Sequence, residues 1–214
     1  MRATAAPPAE QLVLLENVSW ETYTHLLEEL NPSPGKRLTY DGGALQIMVV
    51  SVRHEKPNRM LASLVEELAA AMDIDFCAVG STTFKREDLR KGFEPDSSFY
   101  FRNVALIMKK DEIDLDADPP PDLVIDVDIT SPSLNKFPIF AAVGVAEVWH
   151  HKAGKVTIYR LRKEKYAEAS ESAFLPSVTS AAITRLLAAA LKEPSRTALR
   201  RQIQDWLRDS SGSL

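Results

Sequence analysis

Residues 119–136, PPPDLVIDVDITSPSLNK, hold a run of β-favouring side chains broken by two carboxylates. Side chains alternate across a strand, so Ile125, Val127 and Ile129 share one face, and Val124, Asp126, Asp128 and Thr130 share the other. The first face predicts packing on a core. The second sets two carboxylates about 7 Å apart along the strand. A half-exposed strand with a polar outer face accounts for such alternation. Two facts favour more than that. Aspartate is depleted in strands, and like charges on one face repel unless a cation sits between them. Sets of carboxylate oxygens are what hard Mg2+ ions prefer.

Lys136 follows on the same segment. With Pro138 in the first turn of a helix, Lys136 stands just before a helix N-terminus, where a cation opposes the macrodipole by roughly 0.3–1 kcal/mol. A solvated loop lysine tolerates that cost. A lysine held beside the aspartate face orients water or stabilises a phosphate oxyanion instead. Upstream, in KGFEPDSSFYF, Asp96 follows Pro95, which fixes the chain direction, and opens a strand. Alone it reads as a turn aspartate; beside a strand bearing Asp126 it makes a metal clamp.

The flanking segments set the architecture. Ser19 caps a helix over WETYTHLLEEL, which Asn31-Pro32-Ser33-Pro34-Gly35 ends. RLTYDGGALQIMVV reads as a hairpin about Asp41-Gly42-Gly43. Leu61, Leu64, Val65, Leu68 and Met72 recur at helical spacing in HEKPNRMLASLVEELAAAM. Strands are expected in IDFCAV, STTFKRED and SSFYF, and a short helix in FRNVALIMKK. Residues 138–143 predict a helix closed by Gly144. VAEVWHH and KVTIYRLR form a hairpin about Ala153-Gly154, and residues 179–207 two helices broken at Glu193-Pro194. The order predicts an α/β (α+β) fold with a mixed sheet. Residues 1–18 read as a flexible lead-in and 19–214 as one domain, with a helical extension from about 179.

A length of 214 residues with 45% apolar side chains is enough for a sizeable core without staples. The single cysteine, Cys77, excludes a disulfide framework within the chain and a cysteine-rich zinc site, and fits a reduced, cytoplasmic setting. No secretory signal and no membrane span is expected. The net charge of −4 argues against a broad basic surface, so any nucleic-acid contact is expected to be local.

GSTTFKREDLRKGFEPDSSFYF, followed by IDLDADPPPDLVIDVDITSPSLNKFPIFAAVGVAEVW, resembles the Uma2 family of restriction-endonuclease-like proteins, within the PD-(D/E)XK nuclease superfamily. The resemblance covers roughly residues 38–159. The joint order of EPD, PPPDLVIDVDITSPS, NK and GVAEVW is specific, and each piece alone is weak. The resemblance implies a mixed β-sheet core flanked by helices and an endonuclease that hydrolyses DNA with Mg2+, or with Mn2+. Asp96 matches the first metal-binding aspartate and Asp126 the second acid, often Glu in the family. Lys136 is the nearest candidate for the family's lysine. Glu55, opening the long helix, matches an acidic position of the superfamily's first helix. The short superfamily pattern places a lysine two residues after the second acid, where this chain has Asp128. Asp128 is then a further metal ligand or an acceptor behind the ligands, and Lys136 supplies the displaced cation. A homodimer is implied, with no organic cofactor.

Lys85, Arg86, Arg90 and Lys91 precede EPD as a basic cluster, either a solvated loop or the local site for phosphate contacts. His54, just before Glu55, either lies near the site or faces solvent, and solvent exposure is the expectation. His150 and His151, adjacent on a strand, point to opposite faces and chelate poorly. Two other functions fit the same residues: a catalytically inactive nuclease fold kept as a binding module, and a metal-dependent hydrolase of a non-nucleic substrate.

Overall fold

The computed structural model describes residues 10–30, 35–129, 134–193 and 195–211. Two sheets carry the fold. In the first, β1 (Glu10–Leu15) pairs with β3 (Ala44–Val50), which turns back on β2 (Lys36–Asp41). The turn residues Gly42 and Gly43 have φ of 54° and 113°, the left-handed conformations a two-residue hairpin requires. β6 (Lys91–Phe93) and β5 (Phe84–Arg86) complete five antiparallel strands in the order β1-β3-β2-β6-β5.

The second sheet is mixed. It contains β4 (Cys77–Ala78), β7 (Ser97–Tyr100), β8 (Leu123–Asp128), β9 (Glu147–Lys152), β10 (Lys155–Arg162) and β11 (Lys165–Glu168). Their order is β11-β10-β9-β8-β7-β4. β8 and β9 are parallel and the other pairs antiparallel. Parallel neighbours need a crossover. Here α4 (Phe137–Val143) supplies it, stopped by Gly144 at φ 95°.

The remaining helices are α1 (Trp20–Leu30), α2 (Val52–Ala71), α3 (Val104–Ile107), α5 (Ser180–Lys192) and α6 (Arg196–Ser211). Four begin at hydroxyl caps. Ser19 Oγ accepts from Thr22 N, Ser51 Oγ from His54 N, Thr179 Oγ1 from Ala182 N and Ser195 Oγ from Ala198 N. Each cap satisfies an N–H that the helix itself leaves unpaired. Among the described residues no helix is long and apolar enough to cross a membrane.

Helices α2, α5 and α6 cover one face of the mixed sheet. Leu61, Val65 and Leu68 join Ile183, Leu187 and Ile203 over Ile125, Val127, Trp149 and Ile158. On the other face, Ile139 and Phe140 of α4 and Phe84 and Phe93 of the five-stranded sheet pack on Val124 and Val148. β8 is therefore buried on both faces from Leu123 to Val127, and the half-exposed reading of this strand does not hold. Ile125 and Val127 do face the core together, with Ile129 half-buried beside them.

Other elements depart from expectation. Residues 10–15, read as part of a loose lead-in, pair with residues 45–50 of β3. IDFCAV contributes only Cys77 and Ala78 to a strand. β6 and β11 lie in segments for which no strand is expected from sequence; Gly92 and the charged ends of KYAE carry little strand propensity, and cross-strand pairing decides their state. Thr130 and the helix-ending residues 31–34 lie outside the described residues.

Gly92 has a packing reason. A Cβ there would stand 2.7 Å from Tyr23 Cζ and nearer still to the hydroxyl. Tyr23 is buried and stacked on Tyr40 with centroids 4.8 Å apart, so it has nowhere to retreat. Gly92→Ala is expected to lower stability by about 1–3 kcal/mol in urea unfolding. Adding Tyr23→Phe should recover part of that loss, because the hydroxyl is the nearest atom.

Candidate active site

Four elements meet at the start of β7. Asp96 precedes that strand, and its backbone N–H donates to Ile125 O at 3.2 Å. Ser97 pairs with Ile125 in the antiparallel ladder, which makes Asp96 and Asp126 the next positions outward. The Asp96 side chain takes over where the ladder stops. Its Oδ2 accepts from Val127 N at 2.8 Å. Asp96 is 4% exposed, and its Oδ1 is buried with no hydrogen-bond partner among the described residues.

Asp126, 6% exposed, points toward α4. Its Oδ1 accepts from Lys136 Nζ at 2.7 Å, and its Oδ2 lies 3.8 Å from His150 Nε2. Lys136 occupies the N-cap position of α4 and is 8% exposed. The loop before it is pinned by Gln46 of β3, whose Oε1 accepts from Leu134 N at 2.6 Å. Burial works against the charged forms of both Lys136 and Asp96. For Lys136 the fields of Asp126, Asp96 and Asp128 prevail and push the ammonium above the usual lysine range. For Asp96 the His54 hydrogen bond and charge, the Lys136 field and the Val127 N–H hold the carboxyl below the usual carboxylate range. The cation at a helix N-terminus is thus matched by carboxylates that outweigh the opposing dipole.

Asp128, at the position where the short superfamily pattern places a lysine, is paired. Its Oδ2 accepts from Lys152 Nζ at 2.6 Å. The parallel register explains both partners of the β8 carboxylates, since Asp126 lies beside His150 and Asp128 beside Lys152.

The site thus gathers Asp96, Asp126 and Lys136, with Asp128 at its edge. Glu55 forms its ion pair with Arg37 at 3.7 Å and shares no hydrogen bond or ion pair with the other three. It lines a cavity of about 410 Å³ between α2 and α6, with Lys56, Arg59, Arg196 and Leu199. The basic cluster lies on the β5–β6 edge of the five-stranded sheet. There Arg86 pairs with Asp88 and Asp116, and Lys91 with Asp41, while Lys85 and Arg90 are exposed.

Two histidines that the sequence did not single out as site residues enter it. His54 is fully buried, not solvent-facing. Its Nε2 lies 2.9 Å from Val127 O and 3.4 Å from Asp96 Oδ2. The signal was present: residues 54, 58, 61, 65 and 68 form one stripe of α2, and the last three are leucine or valine in the core. His150 packs edge-on against Phe137, with centroids 5.8 Å apart. Its place beside Asp126 follows from strand register, which residue spacing does not encode. His151, on the opposite face, is buried, and burial together with His150 and His54 pushes its imidazole down.

Among the described residues no group of three or more His, Cys, Asp or Glu side chains is placed to hold a metal ion. Mg2+ usually takes one or two carboxylates and completes its shell with water and substrate phosphates. Asp96, with an uncommitted buried oxygen, and Asp126 fit that lesser requirement.

The mixed six-stranded sheet with helices on its faces and carboxylates at one edge of the β7–β8 pair is a restriction-endonuclease-like fold. The Uma2 family, described as "Putative restriction endonuclease", matches residues 20–192, and the chain belongs to that family. The structure is similar to the crystal structure of a putative nuclease belonging to DUF820 from Anabaena variabilis ATCC 29413. The TM-score is 0.50 at 17% identity, over 75% of this chain and 98% of that one. No curated protein matches the chain.

Lys136→Met leaves the Asp126 carboxylate buried without its partner. It is expected to cost roughly 3–5 kcal/mol in urea unfolding, as for other broken buried pairs. Asp96 contributes pH dependence of a definite sign. A carboxyl lowered in the folded state adds stability that is whole above the unfolded value of about 3.9 and is lost as pH falls through the folded value. The wild-type urea midpoint should therefore fall more steeply below about pH 4 than that of Asp96→Asn.

Proposed function

We propose that the chain is a Mg2+-dependent endonuclease that hydrolyses DNA phosphodiester bonds, with Asp96 and Asp126 holding the ion and Lys136 as the displaced lysine. Mn2+ serves in the same position. The observation that carries this reading is the buried contact of Lys136 Nζ with Asp126 Oδ1, beside Asp96, from three separate segments of the chain. Family membership supplies the nuclease prior.

A divalent ion supplies Lewis acidity, lowering the pKa of water and neutralising phosphate charge. The chain's own groups do the rest. Asp96 offers Oδ1 while Oδ2 stays tied to Val127 N. Lys136 has three N–H donors, of which Asp126 takes one. The other two can orient the attacking water or a phosphate oxygen, where a fixed cation lowers the barrier most as charge develops. Lys152 neutralises Asp128, which removes the excess negative charge that would repel a phosphodiester. Lys85 and Arg90 are the members of the basic cluster exposed for contacts with the DNA backbone. The reading includes a cytoplasmic homodimer. Exposed Val13, Leu14 and Leu15 on the edge strand β1 support pairing of copies, since such an edge is a template for association.

A second reading, an inactive nuclease fold kept as a binding module, has one observation in its favour: Asp96, Asp126 and Lys136 are nearly closed to solvent.

Supercoiled plasmid incubated with the protein is expected to be nicked or cut with Mg2+ or Mn2+ and spared in EDTA. Asp96→Ala and Asp126→Ala should each abolish cleavage. Cleavage that survives both substitutions would overturn the site. A folded protein that binds no Mn2+ in calorimetry would favour the module.

A further inference from the structure

We infer that His54 and Asn58, one turn apart on α2, are positioning residues for Asp96: they tie down one side of it so that a single oxygen, Oδ1, is left for a metal ion. The inference rests on the metal-site reading above and extends it to residues on a different element.

The chemistry of the His54 contact assigns a proton. Val127 O is a carbonyl and can only accept, so His54 Nε2, 2.9 Å away, carries hydrogen. The same N–H edge faces Asp96 Oδ2 at 3.4 Å. That oxygen also accepts from Val127 N at 2.8 Å. Oδ2 is thus held by a backbone donor with an imidazole donor beside it, while Oδ1 is buried with no hydrogen bond among the described residues. A buried carboxylate oxygen with no hydrogen-bond donor is costly unless something else satisfies it. Here that cost falls on one atom of Asp96.

Asn58 fixes the backbone at the same point. Its Nδ2 donates to Asp96 O at 3.2 Å, and its Oδ1 accepts from Ser97 Oγ at 2.9 Å. Both amide atoms are used, so the side chain has one orientation. His54 and Asn58 lie on the stripe of α2 that continues into Leu61 and Val65, and both are buried. The rigid helix therefore carries the register of Asp96. Ser51 caps α2 by accepting from His54 N at 3.3 Å, which anchors the first turn. Partners behind a metal ligand of this kind typically change metal affinity by about 10–100-fold when removed.

The test is Mn2+ calorimetry on the full chain, with thermal unfolding of each variant run in parallel. His54→Gln keeps an N–H donor at the position of Nε2, and His54→Asn is too short to reach. We expect His54→Asn to weaken Mn2+ binding about tenfold or more, and His54→Gln, which keeps the donor, to restore affinity to within about threefold of wild type. Asn58→Ala, which leaves the histidine in place, should also weaken binding, and it keeps the idea testable if His54→Asn does not fold. Folded His54→Asn and Asn58→Ala proteins that bind Mn2+ as tightly as wild type would overturn the positioning role and leave the metal site standing. A wild-type protein that binds no Mn2+ would overturn both.

Discussion

The buried contact between Lys136 and Asp126 sets the terms for the structure around it. Removing two charges from water costs several kcal/mol per ion, and their attraction offsets this only with close geometry and further hydrogen bonds. At 2.7 Å and under a tenth exposed, this pair has the geometry. The elements that seal it come from distant parts of the sequence. Gln46 of the five-stranded sheet holds the loop before Lys136, and Phe137, the next residue, packs edge-on against His150, Tyr159 and Tyr166. A hydrophobic pair of similar volume would be no less stable at such a place.

The two sides of β8 divide the labour. Toward α4 it presents charge, with Asp126 and Asp128 matched in parallel register by His150 and Lys152. Toward α2 it presents backbone and apolar groups. There Val127 meets Asp96 through its backbone N–H and His54 through its carbonyl. The backbone of one residue thus links the carboxylate of one strand to the imidazole of a helix. This explains why Asp96 and Asp126, next to each other in the ladder, have different surroundings.

How far the site was legible depends on the range of the interaction. Asp126 and Lys136 stood out because each breaks a local rule, an aspartate in a strand and a cation before a helix, whereas Asp96 alone reads as a turn aspartate and became a candidate only through the strand bearing Asp126 and the EPD resemblance. His54 could have been found from its place on the leucine stripe of α2. Glu55, chosen by resemblance to the family, forms its ion pair with Arg37 of β2. Asp128 looked like surplus charge because its neutralising partner, Lys152, lies 24 residues away on another strand.

Alternation and capping are properties of neighbouring residues. The sequence by itself therefore determined the two faces of β8, the hairpin at Gly42-Gly43, the start of α2 and the stop at Gly144. Pairing is a property of residues far apart in the chain. Only the tertiary structure decided that the strands form two sheets, that Lys91–Phe93 and Lys165–Glu168 are strands, and that β9 lies parallel to β8. That last choice brought His150 to Asp126 and Lys152 to Asp128. No local periodicity encodes it, because the register is set by the α4 crossover and by what each sheet face must bury.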